Sequence, residues 1–311
     1  MIAGCSVLGG VVEIAGVAVG VETDVERGTG VTAIVLPEGS TTSVAVLGGA
    51  PATRETDALR PENLVPGADA ILLCGGSAFG LRAADGAMDA LTQAGRGLQV
   101  GAVRVPIVPA AAIFDLAYKA ATAPTAAQGA AAVAAALAGG KWEIEGSVGA
   151  GTGATVGKLL GPEGAMKSGQ GALTLRCPDG LTVAAVAVVN AVGSVIGADG
   201  TVLAGPRLEG GKPLDSLEIV LAGASAARGP GEATTIALVV TDARLDKAAL
   251  LRVALMAQDG IAQAIRPSHT LWDGDTVFAA SAGGRAADPT RVGALAALAL
   301  GEAIRRGVTL A

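Results

Sequence analysis

A pair of hydroxyl residues at the start of an apolar run is the feature of this chain with the clearest chemical potential. Thr234 and Thr235 follow a loop rich in Ala, Gly and Pro (222–231) and precede an unbroken apolar run (236–240). Such a run predicts a strand that is buried on both faces. Cleavage of the Ala233–Thr234 bond would give Thr234 a free α-amine, with an unperturbed pKa of roughly 7.7–8.0, as a base for its own hydroxyl. Thr is also common at strand starts, so the local sequence leaves both interpretations open.

Two acidic residues, separated by a single glycine, lie downstream in a predicted turn and strand. Asp273 and Asp275 share one face if the chain is extended, because side chains repeat every second residue. Carboxylates so close together repel each other and perturb each other's pKa, which suits a general acid–base pair or a proton relay. The alternative is an Asp-Gly turn that carries two solvated acids.

Two further polar residues stand next to glycine-rich or apolar segments. Lys158 follows a glycine loop (149–157). A lysine there is either a surface charge or a point charge turned inward to lower a neighbour's pKa. Asn190 is a lone amide at the end of an apolar strand, and a buried amide must be hydrogen-bonded. It is therefore either tied to the backbone or aimed into a site as an oxyanion donor.

Composition limits the kinds of protein that this chain can be. Its 311 residues are 51% hydrophobic but only 2% aromatic, so the core must consist of aliphatic side chains. A net charge of -6 without a basic run argues against a nucleic-acid partner. A single histidine, His269, and three distant cysteines (Cys5, Cys74 and Cys177) predict neither a metal site nor a disulfide framework, and fit a reducing cytoplasm.

Membrane association is not predicted either. The N-terminus lacks the basic segment of a signal peptide, and the Ala-rich stretch 126–138 is too short and too weakly apolar to span a bilayer.

Two glycine-rich junctions resemble nucleotide-binding or nucleophile motifs without matching them. Residues 75–80 follow a predicted strand and begin a predicted helix that Ser77 can cap. Phe79 and Ser77 occupy positions where a nucleophile elbow and a dinucleotide fingerprint, respectively, require glycine. Residues 149–154 match a loosened dinucleotide pattern, but no acidic residue clearly ends a second strand of a βαβ unit. A dinucleotide enzyme is therefore disfavoured.

Periodicity and turn residues predict the remaining elements. These are a hairpin (11–21 and 31–36), a strand (42–47), an extended segment (103–109), an Ala-rich helix to about 138, a strand (142–148), a second hairpin (172–176 and 181–190), a helix capped by Asp246 to about 266, and a final helix that begins at Asp288-Pro289.

Several stretches, taken in order, match one known family over nearly the whole chain. The chain resembles the DmpA/P1 family of self-processing hydrolases, which includes L-aminopeptidase/D-esterases, β-aminopeptidases and nylon-oligomer amidases. The matching stretches are residues 48–57 (GGAPATRETD), 75–81 (GGSAFGL), 103–110 (VRVPIVPA), 149–154 (GAGTGA), and 234–236 (TTI) with 273–276 (DGDT).

This resemblance implies an α+β fold, a four-layer αββα sandwich of the N-terminal-nucleophile type, in a homotetramer. It implies a single hydrolase domain over 1–311 that cleaves itself between Ala233 and Thr234 into chains 1–233 and 234–311. Thr234 would be the nucleophile, Asp273 and Asp275 the acids of the relay, Asn190 an oxyanion donor, and Lys158 the lysine that follows the glycine loop.

Other expectations concern the substrate and the departures from the family pattern. We expect a short peptide or other linear amide substrate, no cofactor and no metal, and a pocket shaped by the loops around Ser77, Arg104 and Phe114. Some family members have a tyrosine where Ala130 stands here, and often Gly or Asn where Ala233 stands. The sequence does not select the amide that is cleaved. Two alternatives remain: an amine acyltransferase of the ornithine acetyltransferase type, and an unprocessed small-molecule-binding homologue.

Overall fold

Two β-sheets form the centre of the molecule. The computed structural model describes residues 4–139, 143–208, 211–223 and 232–311. The strands are β1 (Ser6–Gly9), β2 (Ala18–Asp24), β3 (Thr29–Val35), β4 (Thr41–Val46), β5 (Thr53–Arg54), β6 (Ala70–Cys74), β7 (Leu98–Val100), β8 (Val103–Val105), β9 (Ala110–Ala112), β10 (Thr155–Val156), β11 (Met166–Lys167), β12 (Gln170–Arg176), β13 (Thr182–Asn190), β14 (Ser194–Ile196), β15 (Val202–Ala204), β16 (Thr234–Ala243), β17 (Ile265–Arg266) and β18 (Thr276–Arg285).

Helices cover the outer face of each sheet. Short 3-10 turns occur at Asp57–Leu59, Gly149–Gly151, Lys158–Leu160 and Pro162–Gly164. The α-helices are α1 (Ser77–Gly80), α2 (Ala83–Gln93), α3 (Ala126–Leu137), α4 (Ser216–Leu221), α5 (Lys247–Ala264) and α6 (Pro289–Thr309).

The larger sheet has the order β1-β12-β13-β16-β18-β4, and the second has the order β2-β3-β6-β9-β5. In the larger sheet β16 and β18 are parallel, while the other neighbours are antiparallel. Helix α5 lies between β16 and β18 in the chain, because two parallel strands need a crossover connection.

Successive side chains of a strand point to opposite faces of the sheet, and this alternation lets one strand contribute to two different cores. In β16, Ile236 and Leu238 belong to the core between the two sheets, whereas Ala237 and Val239 belong to the core under α5 and α6. A third core joins the second sheet to α2 and α3. Strands with helices on one face and a second sheet on the other are buried throughout, which is why their sequences are continuously apolar. The predicted four-layer αββα sandwich is confirmed.

Most predicted elements are present, with shifted ends. The strand predicted before the glycine-rich junction 75–80 is β6, and both predicted hairpins occur as β2–β3 and β12–β13, although β2 begins only at Ala18. The predicted strand at 142–148 is wrong over 143–148, where the described chain is irregular apart from one bridge at Gly146; residue 142 lies outside the described residues.

The cysteine prediction was wrong. Cys5 and Cys177 form a disulfide that joins β1 to the end of β12, across 172 positions of sequence, and Cys74 is buried and free. The two cysteines meet because β1 pairs with β12, and this long-range pairing has no local signature in the sequence.

None of the helices in the described part of the chain combines the length and apolarity that crossing a bilayer requires.

A substitution at Phe278 tests the core between the sheets. Its ring is fully buried on β18 beside Leu238. We expect Phe278→Ala to lower the free energy of unfolding by about 3–5 kcal/mol, because it removes apolar contacts and leaves a cavity. Chemical denaturation measures the change. Leu64→Ala, at a side chain that is 97% exposed, is the control and should change stability by less than about 0.5 kcal/mol. Equal effects of the two substitutions would contradict this core.

Candidate active site

The parallel pairing of β16 with β18 brings the predicted nucleophile beside the predicted acids. Ile236 pairs with Thr276, and the parallel alignment extends backwards to a bridge between Ala233 and Asp273. The backbone N–H of Gly274 donates a hydrogen bond to the Ala233 carbonyl at 2.9 Å. Residues separated by about 40 positions of sequence therefore lie side by side at the starts of two central strands.

Thr234 is buried, and its side chain lies on the face between the two sheets. It alternates in phase with Ile236 of the intersheet core, and only 2% of its surface is exposed. Its hydroxyl donates to the carbonyl of Ala233. A Cβ on Gly274 would lie 2.9 Å from the Thr234 Oγ1 and 2.8 Å from the Ala50 carbonyl oxygen. Glycine at position 274 therefore leaves the space that the hydroxyl occupies.

The Asp275 carboxylate holds the backbone beside Thr234, the Asp273 carboxylate holds Thr270 and Val192, and neither is hydrogen-bonded to the Thr234 hydroxyl. Asp275 Oδ1 accepts the backbone N–H of Thr235 at 2.7 Å. Asp273 Oδ2 accepts the backbone N–H of Thr270 at 3.0 Å and the Thr270 hydroxyl at 2.6 Å. Both acids are 1% exposed. The solvated Asp-Gly turn is thereby rejected.

Burial and the neighbouring Asp275 carboxylate raise the pKa of Asp273 from its ordinary value of 3.8 to about 6. Hydrogen bonds from Thr270 and Val192 oppose this rise. A carboxyl group with a pKa near 6 can both bind and release a proton close to neutral pH.

Of the two alternatives for Lys158, a surface charge or a charge turned inward, the structure shows the second. It is 4% exposed, and its Nζ donates to Asn190 Oδ1 at 2.7 Å, to the Asn190 carbonyl at 3.0 Å and to the Glu232 carbonyl at 2.7 Å. Gly157, just before it, has φ 72° and lies against Gly205, a turn that only glycine makes without strain. The ammonium group thus reaches the peptide backbone two residues before Thr234.

Asn190 lies directly across from Thr234 in the β13–β16 ladder, so the two side chains share one face. Its Oδ1 accepts from the Thr155 N–H at 3.1 Å and from Lys158, and its Nδ2 donates to the Phe114 carbonyl at 3.0 Å. Both sequence-based interpretations of Asn190 therefore apply in part: the amide is tied to backbone groups, and it also faces the predicted nucleophile.

A cavity of about 250 Å³ adjoins this cluster. Phe114, Asp115, Tyr118, Lys158, Glu163 and Glu232 are among the residues that line it. Asp115 is 3% exposed and accepts the Gly76 N–H at 2.6 Å, and burial raises its pKa to about 6. Ser77, Arg104 and Phe114 were expected to shape a pocket, and of these Phe114 lines this cavity.

The structure does not bring Ser77 and Arg104 into the same cavity. Ser77 has φ 55° and is the first residue of α1, while Gly76 takes the cap position predicted for Ser77. Arg104 is exposed on the β7–β8 hairpin and lines another cavity with Glu38 and Asp69. Neither Ser77 nor Arg104 lines the cavity beside Lys158, although Gly76, next to Ser77, binds Asp115 in its wall.

Two residues of the cluster were missed by sequence reasoning. Gly274 was noticed only as a turn residue, although its N–H holds the Ala233 carbonyl. His269 was considered only as a metal ligand, yet its Nδ1 lies 2.8 Å from Asp275 Oδ2. The available signal was their position within six residues of Asp275.

The fold and this buried threonine–lysine–acid cluster define an amide-bond hydrolase of the N-terminal-nucleophile type. The model of peptidase family S58 matches residues 10–310. The chain therefore belongs to peptidase family S58.

Relatives of similar sequence include an aminopeptidase and an oligomer hydrolase. An uncharacterized aminopeptidase of Mycobacterium leprae is 42% identical over 290 residues, which cover 88% of this chain and 78% of the relative. A 6-aminohexanoate-oligomer endohydrolase of Paenarthrobacter ureafaciens is 33% identical over 273 residues, which cover 85% of this chain and 72% of the relative.

Solved structures show the same fold. A β-aminopeptidase of a Burkholderia species aligns with a TM-score of 0.67 and 21% identity, over 94% of this chain and 84% of the other. The L-aminopeptidase D-Ala-esterase/amidase of Ochrobactrum anthropi, described as a new variant of the Ntn hydrolase fold, aligns with a TM-score of 0.65 and 16% identity, over 95% of this chain and 83% of the other.

The raised pKa values of Asp115 and Asp273 predict how stability depends on pH. Each folded-state carboxyl binds its proton more tightly than the unfolded chain does, so its contribution is fully present below pH 3.8 and is lost as pH rises through about 6. We expect the free energy of unfolding of the wild type to fall by up to about 3 kcal/mol between pH 4 and pH 7, relative to the change in Asp115→Asn over the same range. The same difference is expected relative to Asp273→Asn, and urea unfolding measures both. A difference that stays constant with pH would contradict the assignment.

Proposed function

We propose that this chain is a self-processing aminopeptidase or amidase whose nucleophile is Thr234, freed as the N-terminus of a 78-residue chain 234–311. The observation that carries the proposal is the arrangement at the Ala233–Thr234 bond. Its carbonyl accepts the Gly274 N–H, and its flanking backbone is held by Lys158 on one side and Asp275 on the other.

The first reaction is cleavage of the chain's own backbone. The Thr234 Oγ1 attacks the Ala233 carbonyl carbon, the C–N bond breaks, and the Thr234 nitrogen takes the proton that the hydroxyl loses. The Gly274 N–H stabilises the negative charge that develops on the carbonyl oxygen. Water then opens the resulting ester, which leaves a carboxylate on Ala233 and a free hydroxyl on Thr234.

The second reaction is turnover of an external amide. The freed α-amine of Thr234 takes the hydroxyl proton, as in other N-terminal nucleophiles. The hydroxyl attacks the substrate carbonyl, the amine product leaves with a proton, and water hydrolyses the acyl-enzyme. Because Asp273 has a pKa of about 6 and lies beside residue 233, it can exchange protons with the freed amine.

Lys158 and Asn190 act as electrostatic partners of this chemistry. The Lys158 ammonium disfavours a protonated amine at Thr234, since like charges repel at close range. Asn190 Nδ2 has a second N–H beyond the one bound to Phe114, and it lies across from Thr234, where it can donate to a substrate oxyanion.

The proposal also covers the substrate, the two chains and the assembly of the enzyme. The substrate is a short peptide or another linear amide, in keeping with the aminopeptidase and 6-aminohexanoate-oligomer hydrolase among the relatives. The processed enzyme is one hydrolase domain made of chains 1–233 and 234–311, assembled as a homotetramer. Native mass spectrometry measures the assembly.

Substitution of the nucleophile tests self-cleavage. We expect the purified wild-type protein to separate into two fragments under denaturing mass spectrometry, with Thr-Thr-Ile as the N-terminal sequence of the smaller one. Thr234→Ala should remain a single 30.0 kDa species, while Thr234→Ser, which keeps the hydroxyl, should still be cut. Cleavage of the Thr234→Ala variant at the same bond would refute the proposal.

Substitution of the buried lysine tests the electrostatic role. Lys158→Met keeps the length of the side chain but removes the charge that faces Glu232 and Asn190, so self-cleavage should slow by about 100-fold or more. The time course of the intact species measures the rate.

A matched control is available at a second, largely buried lysine. Lys167 donates to the carbonyls of Gly151 and Ala154, away from Thr234. Lys167→Met should be cut at close to the wild-type rate. If both variants slow equally, loss of any buried lysine explains the effect and the specific role of Lys158 is wrong.

A further inference from the structure

The chain's single histidine clamps one acid of the pair. Asp275 Oδ2 accepts two donors from His269: the backbone N–H at 3.0 Å and the ring Nδ1 at 2.8 Å. Asp275 Oδ1 is bound by the Thr235 N–H, so both carboxylate oxygens are fixed in direction. When Asp275 is ionised, its oxygens only accept hydrogen bonds, so the ring then carries a proton on Nδ1.

The backbone at His269 supports this clamp. Its φ of 55° lies in the left-handed region, which His, Asn and Asp adopt more readily than other non-glycine residues. This conformation directs the N–H and the ring of one residue toward the same oxygen. The ring is half-buried, and it faces Asp275, Asp273 at longer range and the backbone carbonyl of Gln258 on α5.

The two acids have different surroundings, because only Asp275 contacts a side chain that can carry a positive charge. Asp273 is bound by Thr270 and Val192, which are neutral groups. Although burial disfavours the charged ring, the hydrogen bond that the ring donates to Asp275 and the charges of both acids outweigh it and raise the pKa of His269 above 6.5. Asp275 therefore has a partner in contact that is positively charged whenever its ring is protonated, whereas Asp273 has none.

We propose that His269 is a positioning residue that orients Asp275 and stabilises its charge, which leaves Asp273 as the acid that exchanges protons. His269 does not contact Thr234; it acts through Asp275, which holds the Thr235 N–H beside the nucleophile. This inference rests on the proposed function for its kinetic consequence, but its charge assignment can be measured without any activity.

The first test is a titration of the histidine by NMR in the Thr234→Ala protein, which does not need self-cleavage. With a single histidine, the ring signals need no assignment. We expect the ring to titrate above pH 6.5, and Asp275→Asn to lower the midpoint by about one pH unit or more. Asp273→Asn, which lacks the direct contact, should lower it less. A midpoint at or below 6.5 in the parent protein would overturn the assignment even if the Asp275 variant fails to fold.

The second test is the pH profile of kcat/KM for two variants of the processed enzyme. His269→Ala removes the donor and the charge; His269→Asn keeps a donor and tolerates the left-handed backbone but has no charge. We expect the acid limb of both profiles to move to higher pH by about one unit, because a nearby cation no longer favours release of the Asp273 proton. kcat should fall in the Ala variant and largely recover in the Asn variant.

The outcomes separate this inference from the proposed function. If wild type turns over and both variants keep its acid limb, His269 has no role in the acid pair and the proposed function stands. If wild type neither cleaves itself nor hydrolyses amides, the proposed function fails, while the NMR titration still decides the charge assignment.

Discussion

The alignment of two parallel strands is the constraint on which the site depends. β16 and β18 run side by side with Ile236 opposite Thr276, and this register alone brings Ala233, Thr234 and Thr235 against residues 273–275. A slip of one residue would turn Thr234 away from the face between the sheets, since side chains alternate along a strand. The register is fixed in turn by the apolar residues on both faces of β16, which must fill two different cores.

A cluster of charges is tolerated in this aliphatic interior because each one has partners. Lys158 contacts oxygens of Asn190 and Glu232, and Asp275 accepts three N–H donors. Burying an unpaired charge is costly, whereas a charge with hydrogen-bond partners can remain. Asp273 lacks a cation in contact and responds with a raised pKa, so the acid whose charge is least compensated becomes the one suited to exchanging protons.

The errors of sequence reasoning arose where contacts join distant parts of the chain. Cys5 and Cys177 are bonded across 172 positions, a separation that had suggested three unrelated cysteines. The predicted part of Ser77 and Arg104 in shaping a pocket stays a prediction, although neither residue lines the cavity beside Lys158. His269 was considered only as a metal ligand, because its position six residues before Asp275 does not by itself show that the ring reaches that carboxylate.

By itself, the sequence determined where most strands and helices lie and that the core is aliphatic, because periodicity and residue type are local properties. It marked Thr234, Asp273 and Asp275 only as candidates for chemistry. The family resemblance supplied the layered fold. Only the tertiary structure decided that Lys158 points inward, that Gly274 holds the Ala233 carbonyl and that His269 clamps Asp275. Those facts depend on strand register and on the burial of particular atoms, which are set when the sheets and helices pack together and not by any short stretch of residues.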